Sequence, residues 1–261
     1  MITGSGFGVH DRDWIDRNIP PGRDMCIREI TDNYSVLNLC GPCSRRILEK
    51  VTESDVSNAT FPYLTFQDIE IDGLPVKAVR LSYTGELGWE LYMENEYALK
   101  VYRKLFEVGQ EYRITNAGYR ALDSLRMENG YLYWSGEISP YVNPHETGLS
   151  YRINSRKEQF VGRKALQKIA NNGVKRKLYC FSYNGFVPLY GGEPLLCEDE
   201  VISSTLSGGY GHSVGKSICY AFLPADQVTN QHFQLETVQG TISIESHEKA
   251  LYSESNIRVR E

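Results

Sequence analysis

The sequence predicts an α+β unit followed by a small all-β unit. Three observations predict it. In roughly the first hundred residues, short β-prone runs are joined by Gly-centred turns, and two helix-period stretches follow. After Asn171-Asn172-Gly173 and Lys175-Arg176-Lys177 the pattern changes to short β-rich runs separated by Gly, Ser and Asn turns. Finally, 261 residues with 41% apolar side chains are enough for a full core without disulfide staples. The expected division is 1–172 and 173–261.

Taken in order, Met1-Ile2-Thr3-Gly4-Ser5-Gly6-Phe7-Gly8 reads as a strand end running into a Gly-rich turn. Asp11 to Ile19 reads as a short helix stopped by Pro20-Pro21-Gly22. Tyr34 to Leu39 alternates like a strand, and Gly41-Pro42 turns into a helix carrying Ile47, Leu48 and Val51. Ile69 to Ile71 and Val76 to Tyr83 are strands parted by Asp72-Gly73. Thr84-Gly85-Glu86-Leu87-Gly88 is the turn of a tight hairpin, and Trp89 to Met93 is the returning strand. Glu96 to Gln110 is an amphipathic helix with Leu99, Tyr102, Leu105 and Phe106 on its apolar stripe. Ala117 to Asn129 is a second helix, ended by Gly130. The β-rich runs that follow are Leu178 to Tyr183, Glu200 to Ser207, Ile218 to Phe222, His232 to Thr237 and Thr241 to Glu245.

With 28 basic and 33 acidic residues the net charge is -5, so nucleic acid is not an expected partner. No apolar run of about 18 residues exists, so no membrane span is expected. Six cysteines are too few for a disulfide scaffold in a chain of this length. Cys40-Gly41-Pro42-Cys43 follows a strand, opens a helix and looks like the thioredoxin active-site tetrapeptide. It lacks the aromatic residue before the first cysteine and the flanking βαβ units, so a Gly-Pro turn with two filler cysteines is the plainer reading. Gly4-Ser5-Gly6-Phe7-Gly8 has its third glycine one residue early for a dinucleotide turn. The run Gly211 to Ser217 has Tyr210 where a phosphate loop needs glycine, and it is expected in a β-hairpin. The five histidines show no metal-ligand spacing, and no metal is expected.

The most informative stretch is Leu81-Ser82-Tyr83-Thr84-Gly85-Glu86-Leu87-Gly88-Trp89-Glu90-Leu91. A hairpin here would set the Tyr83 phenol and the Glu90 carboxylate near each other. A carboxylate accepts two parallel hydrogen bonds from a planar donor pair, such as the amino and ring N–H groups of a pterin. Further on come Gly118-Tyr119-Arg120-Ala121-Leu122-Asp123-Ser124-Leu125-Arg126-Met127-Glu128 and Asn143-Pro144-His145-Glu146-Thr147-Gly148-Leu149-Ser150-Tyr151. These three motifs, in this order, resemble the aminomethyltransferase (glycine-cleavage T-protein) family. They resemble more closely the folate-binding C-terminal half of sarcosine and dimethylglycine dehydrogenases. The segments Thr3 to Asp11 and Val187 to Gly191 favour the sarcosine branch.

The resemblance implies an incomplete aminomethyltransferase-like folate-binding domain followed by a C-terminal β-barrel. It implies tetrahydrofolate as the ligand, with Tyr83 and Glu90 holding the pterin and Tyr151 beside the folate. It also implies mitochondrial matrix location and FAD only in the full-length architecture. The family's catalytic aspartate and flavin domain lie upstream of the segment that matches here, so no catalytic residue is expected in this chain. The expected partners are small-molecule folate and the upstream flavin domain. Where T-proteins carry an arginine that grips the folate glutamate tail, this chain has Leu122; Arg120, two residues earlier, is expected to point elsewhere. Asp123 and Arg126 are expected to form a structural pair and Glu146 to bind backbone amides. Two alternatives stand beside this reading. One is a non-catalytic subunit resembling the pyruvate dehydrogenase phosphatase regulatory protein; the other is thiol-disulfide exchange at Cys40 and Cys43.

Overall fold

In the computed structural model, residues 1–225, 232–252 and 255–261 are described. The chain divides into two compact units. The first comprises residues 1–39, 43–80 and 88–114, and the second residues 40–42, 81–87 and 115–261. The expected boundary at 172/173 therefore falls inside the second unit.

The first unit is built on a four-stranded sheet of order β1-β4-β3-β2, with β1 Tyr34–Cys40, β2 Phe66–Ile71, β3 Leu74–Val79 and β4 Gly88–Glu94. Asp72 and Gly73 both take positive φ (51° and 75°), so Ile71 pairs directly with Leu74 across a two-residue turn. That backbone matches the twist of the flanking strands, which explains the Asp-Gly pair. Alternation then buries Ile69, Ile71, Val76 and Ala78, and on β4 it buries Trp89, Leu91 and Met93. Phe61 meets Trp89 edge to face at 6.2 Å. Helix α1 spans Gly8–Asn18 and helix α2 spans Ser44–Glu49, where Ile47 and Leu48 are buried. No strand precedes α1: residues 1–4 lack regular structure, and a short 3-10 turn leads into the helix.

Helix α3, Asn95–Gly109, buries Val101, Leu105 and Gly109. Leu99, expected on the apolar stripe, is 57% exposed. The buried positions fall four apart, and Leu99 lies about 200° round the helix from Val101. The tight hairpin expected at residues 84–88 is also corrected. β3 ends at Val79, which pairs with Glu90, and residues 80–87 form a longer connection between the strands.

The second unit contains helix α4 Tyr119–Glu128, helix α5 Arg163–Asn172 and a closed six-stranded barrel. α4 stops in a Schellman arrangement: Gly130 has φ 71°, its N–H donates to Met127 O, and Tyr131 N–H donates to Arg126 O. The barrel order is β10-β5-β8-β7-β6-β9, with β5 Arg176–Tyr183, β6 Pro194–Cys197, β7 Glu200–Gly211, β8 Lys216–Pro224, β9 Phe233–Thr237 and β10 Gly240–His247. Phe181, Leu195, Ala221, Leu223, Phe233 and Leu235 fill its inside. The alternate residues Cys180, Ile218 and Tyr220 face outward and pack with Met127 of α4. Ser124 Oγ donates to Tyr210 O and Tyr220 Oη donates to Met127 O, so α4 is pinned to the barrel wall at two points. Strand β6 escapes sequence reading because a run of four residues opened by proline carries little alternation.

Candidate functional site

Tyr83 sits in the 80–87 connection, whose 81–87 portion belongs to the second unit. Its Oη donates to Leu132 O at 2.9 Å, and its ring stacks on Tyr131 with centroids 6.0 Å apart. The connection is fixed on either side of it. Asn129 Nδ2 donates to Thr84 O, Gly41 N–H donates to Leu87 O, and Arg258 Nη1 donates to Glu86 Oε1. Burial pushes the Tyr83 phenol up to about 12, against the opposing pull of Arg126. The group is therefore a neutral hydrogen-bonding phenol rather than an acid or base near neutral pH.

Tyr83 lines a cavity of about 690 Å³ in the second unit, together with Arg120, Leu122, Arg126, Tyr133 and His212. That volume suits a drug-sized organic ligand. α4 forms one wall and the end of β7 with its hairpin tip forms another. Arg126 is 2% exposed and is paired twice: Nε donates to Asp123 Oδ1 at 2.8 Å and Nη1 to Glu137 Oε2 at 3.1 Å. Burial alone would push its guanidinium down, but Glu137 and Asp123 more than offset that and leave it above the usual arginine value. Glu137 Oε2 also accepts from Tyr133 N–H at 2.8 Å. The ion pair thus fixes the backbone from which Tyr133 enters the wall. The hairpin tip is fixed by Glu128, whose Oε1 accepts from Ser213 N–H at 2.6 Å and from Val214 N–H at 3.3 Å. The glycine-rich run Gly211 to Ser217 is the β7–β8 turn, as its sequence suggested.

The other two sequence-derived site residues have their own surroundings. Glu90 lies on β4 opposite Val79, and its carboxylate accepts a short hydrogen bond from Tyr92 Oη. Tyr151 lies in the 3-10 turn Leu149–Arg152, is 72% exposed, and carries the Arg152 guanidinium 4.9 Å above its ring. It belongs to the second unit but not to the wall of the cavity. Arg120 and Leu122, about 200° apart round α4, both border the cavity. Asp123 pairs with Arg126 as expected. Glu146 accepts from Asn143 N–H and from Arg176 Nε.

The Cys40 thiol is pushed up, first by desolvation and also by the Glu86 carboxylate, against a hydrogen bond with Thr84. Exchange chemistry needs the opposite shift. A second cavity, of about 720 Å³ in the first unit, has an acidic rim that includes Glu53 and Glu70; its Lys104 pairs with Asp72. Among the described residues no cluster of three or more His, Cys, Asp or Glu could hold a metal ion, and no helix is long and apolar enough to cross a membrane.

A sheet-and-helix unit joined to a closed barrel defines the class. A glycine cleavage system aminomethyltransferase T from Bartonella henselae superposes with a TM-score of 0.82 at 22% identity, covering 95% of this chain and 67% of that one. This likeness establishes the aminomethyltransferase fold. The GCVT N-terminal domain model matches residues 1–157, and the glycine cleavage T-protein C-terminal barrel domain model matches residues 176–253, so the chain belongs to the GCVT family. It is 40% identical to the mitochondrial dimethylglycine dehydrogenase of Rattus norvegicus over 229 residues, covering 87% of this chain and 27% of that protein. It is 34% identical to the mitochondrial sarcosine dehydrogenase of Mus musculus over 270 residues, covering 100% of this chain and 29% of that protein. The chain therefore spans between a quarter and a third of the length of these relatives.

Proposed function

We propose that this chain is the tetrahydrofolate-binding part of a mitochondrial flavoenzyme of the sarcosine and dimethylglycine dehydrogenase kind. In such an enzyme a methylamine is oxidised at a flavin and the released one-carbon unit passes to tetrahydrofolate. The observation that carries the reading is the position of Tyr83: a half-buried, neutral phenol stacked on Tyr131, on the wall of a cavity that also presents Tyr133. Rigid rings of this kind offer contact area to a flat heterocycle at low entropic cost. The two relatives described above are named as dehydrogenases of N-methylated glycines, and both as mitochondrial.

Tetrahydrofolate supplies a nucleophilic nitrogen that captures the one-carbon unit. The chain's own residues bind and orient it. Tyr83 offers a ring and a hydroxyl, Glu90 is assigned the amino-pyrimidine edge, and Tyr151 is assigned stacking beside the folate. Rate would come from holding the reacting nitrogen in place, not from acid-base chemistry at these groups. Flavin is assigned to the rest of such an enzyme. The glycines at 4, 6 and 8 enter α1 through a 3-10 turn, and the third comes one residue early for a dinucleotide-binding turn.

The test is calorimetric titration of the chain with a reduced folate, alongside Glu90→Ala, Tyr83→Phe and Tyr151→Ala. Saturable binding weakened by Glu90→Ala is the expected outcome. No saturable heat in both the chain and a version extended upstream overturns the proposal.

A further inference from the structure

Residues 152–177 hold nine arginines and lysines against a single acid, Glu158. In a chain of 28 basic and 33 acidic residues, this leaves 19 basic against 32 acidic elsewhere. One short segment of the second unit is therefore strongly cationic in a chain that is otherwise strongly anionic. Seven of the nine are exposed. Among the described residues only Arg176 of the nine is in an ion pair, with Glu146 at 3.3 Å. Like charges crowded in this way repel one another until an anionic surface covers them. The cations do not serve helix α5 either. Arg163 and Lys164 open it, where the macrodipole disfavours positive charge, and it has neither an acid in its first turn nor a base in its last. No residue of α5 is buried; Leu166 and Ile169 are half-buried, while Lys164 and Lys168 are exposed. The two lysines stand about 150° round the helix from those two apolar residues. α5 therefore shelters an apolar edge and turns a lysine edge to solvent.

We propose that residues 152–177 dock on an anionic phospholipid surface, with α5 lying along it. The kind of cation decides for lipid over an acidic protein. Five of the seven exposed residues are lysines. Protein interfaces deplete lysine and enrich arginine, whereas a lipid phosphate surface attracts each exposed lysine as a point charge. Val161, 67% exposed just before α5, adds an aliphatic group at headgroup depth. The contact is adsorption rather than insertion, because the apolar edge of α5 is already sheltered. The acidic remainder of the chain is repelled by the same surface, so this segment is the side that meets the lipid.

The experiment is co-sedimentation of the whole chain with vesicles of phosphatidylcholine carrying a rising fraction of phosphatidylglycerol. Bound chain should rise with the acidic lipid, be absent on phosphatidylcholine alone, and fall away as salt approaches about 1 M, where screening acts within about 3 Å. The double variant Lys164→Gln, Lys168→Gln should weaken vesicle binding about 25-fold, from about fivefold per lysine near an anionic surface. The control Lys50→Gln, Lys77→Gln removes the same charge from lysines paired with Glu111 and Asp68 in the first unit, and should bind as wild type does. Thermal unfolding of each variant checks that it is folded; if the double variant is not, the lipid and salt titrations of wild type decide. No binding to acidic vesicles at low salt overturns the proposal, as does binding that ignores the acidic fraction. Equal weakening by the two double variants also overturns it, since net charge and not this segment would then govern adsorption. Retention on an immobilised acidic protein without vesicle binding overturns it in favour of a protein partner.

Discussion

The Arg126 guanidinium and the Glu137 carboxylate meet at 3.1 Å with almost no access to solvent, one 2% and the other 0% exposed. The same oxygen of Glu137 accepts from Tyr133 N–H, so one carboxylate joins α4 to the segment that brings Tyr133 to the cavity. Removing one partner of such a pair strands the other charge in low dielectric. Glu137→Ala should therefore cost about 3–5 kcal/mol, read as a fall in the urea midpoint at unchanged slope. Glu137→Gln keeps an acceptor for Tyr133 and should cost less. A loss below about 1 kcal/mol for the alanine variant would mean that water reaches Arg126.

Tyr83 gives the chain an alkaline sensitivity. Its phenol is raised to about 12 when folded, from an ordinary value of 10.0. Between those values the unfolded phenol releases its proton while the folded one keeps it, so stability falls as pH rises. Tyr83→Phe removes this loss together with the hydrogen bond to Leu132, worth about 1 kcal/mol. The advantage of wild type over Tyr83→Phe should therefore shrink between pH 9 and pH 11 in denaturant titrations. A constant difference would show that the phenol ionises as freely folded as unfolded.

Gly85 and Gly73 both have φ of 75°, yet substitution should affect them unequally. A Cβ on Gly85 would stand 2.2 Å from Asn129 Oδ1, whereas one on Gly73 meets nothing within 4 Å. Gly73→Ala should cost about 1–2 kcal/mol, from backbone conformation alone. Gly85→Ala should cost more, displace the Asn129 contact to Thr84 and loosen the loop that carries Tyr83. Equal thermal shifts for the two variants would contradict the placement of Asn129.

Cys40 should be a slow nucleophile. Desolvation and Glu86 hold its thiol above the ordinary value of 9.0, so little thiolate is present at neutral pH. The pH profile of iodoacetamide labelling at this residue, followed by mass spectrometry, should have its inflection above that value. An inflection below pH 7 would restore thiol exchange as a reading of the Cys-Gly-Pro-Cys run.

Much of this was legible locally. Asp72-Gly73 announced its turn, Gly130 announced the end of α4, and β-rich runs between Gly, Ser and Asn turns marked five of the six barrel strands, because each is a matter of neighbours along the chain. The loop around Tyr83 was misjudged for the same reason. Thr84-Gly85-Glu86-Leu87-Gly88 has turn composition, but the β3–β4 register is set by burial of Ala78 and Leu91, which leaves residues 80–87 outside the ladder. Glu137 carried no signal at all. Its partner Arg126 precedes it by eleven residues, across a helix stop and an irregular segment. Only closure of the chain in space brings the two together.

The barrel's first and last strands, β5 and β10, pair with each other, with Glu245 opposite Ser182 and His247 opposite Cys180. A ring of this kind has no bare rim of amide and carbonyl groups for a foreign peptide to extend. What docks on the wall of the barrel itself meets side chains rather than an open ladder, and changes in its specificity need not disturb the backbone pairing beneath.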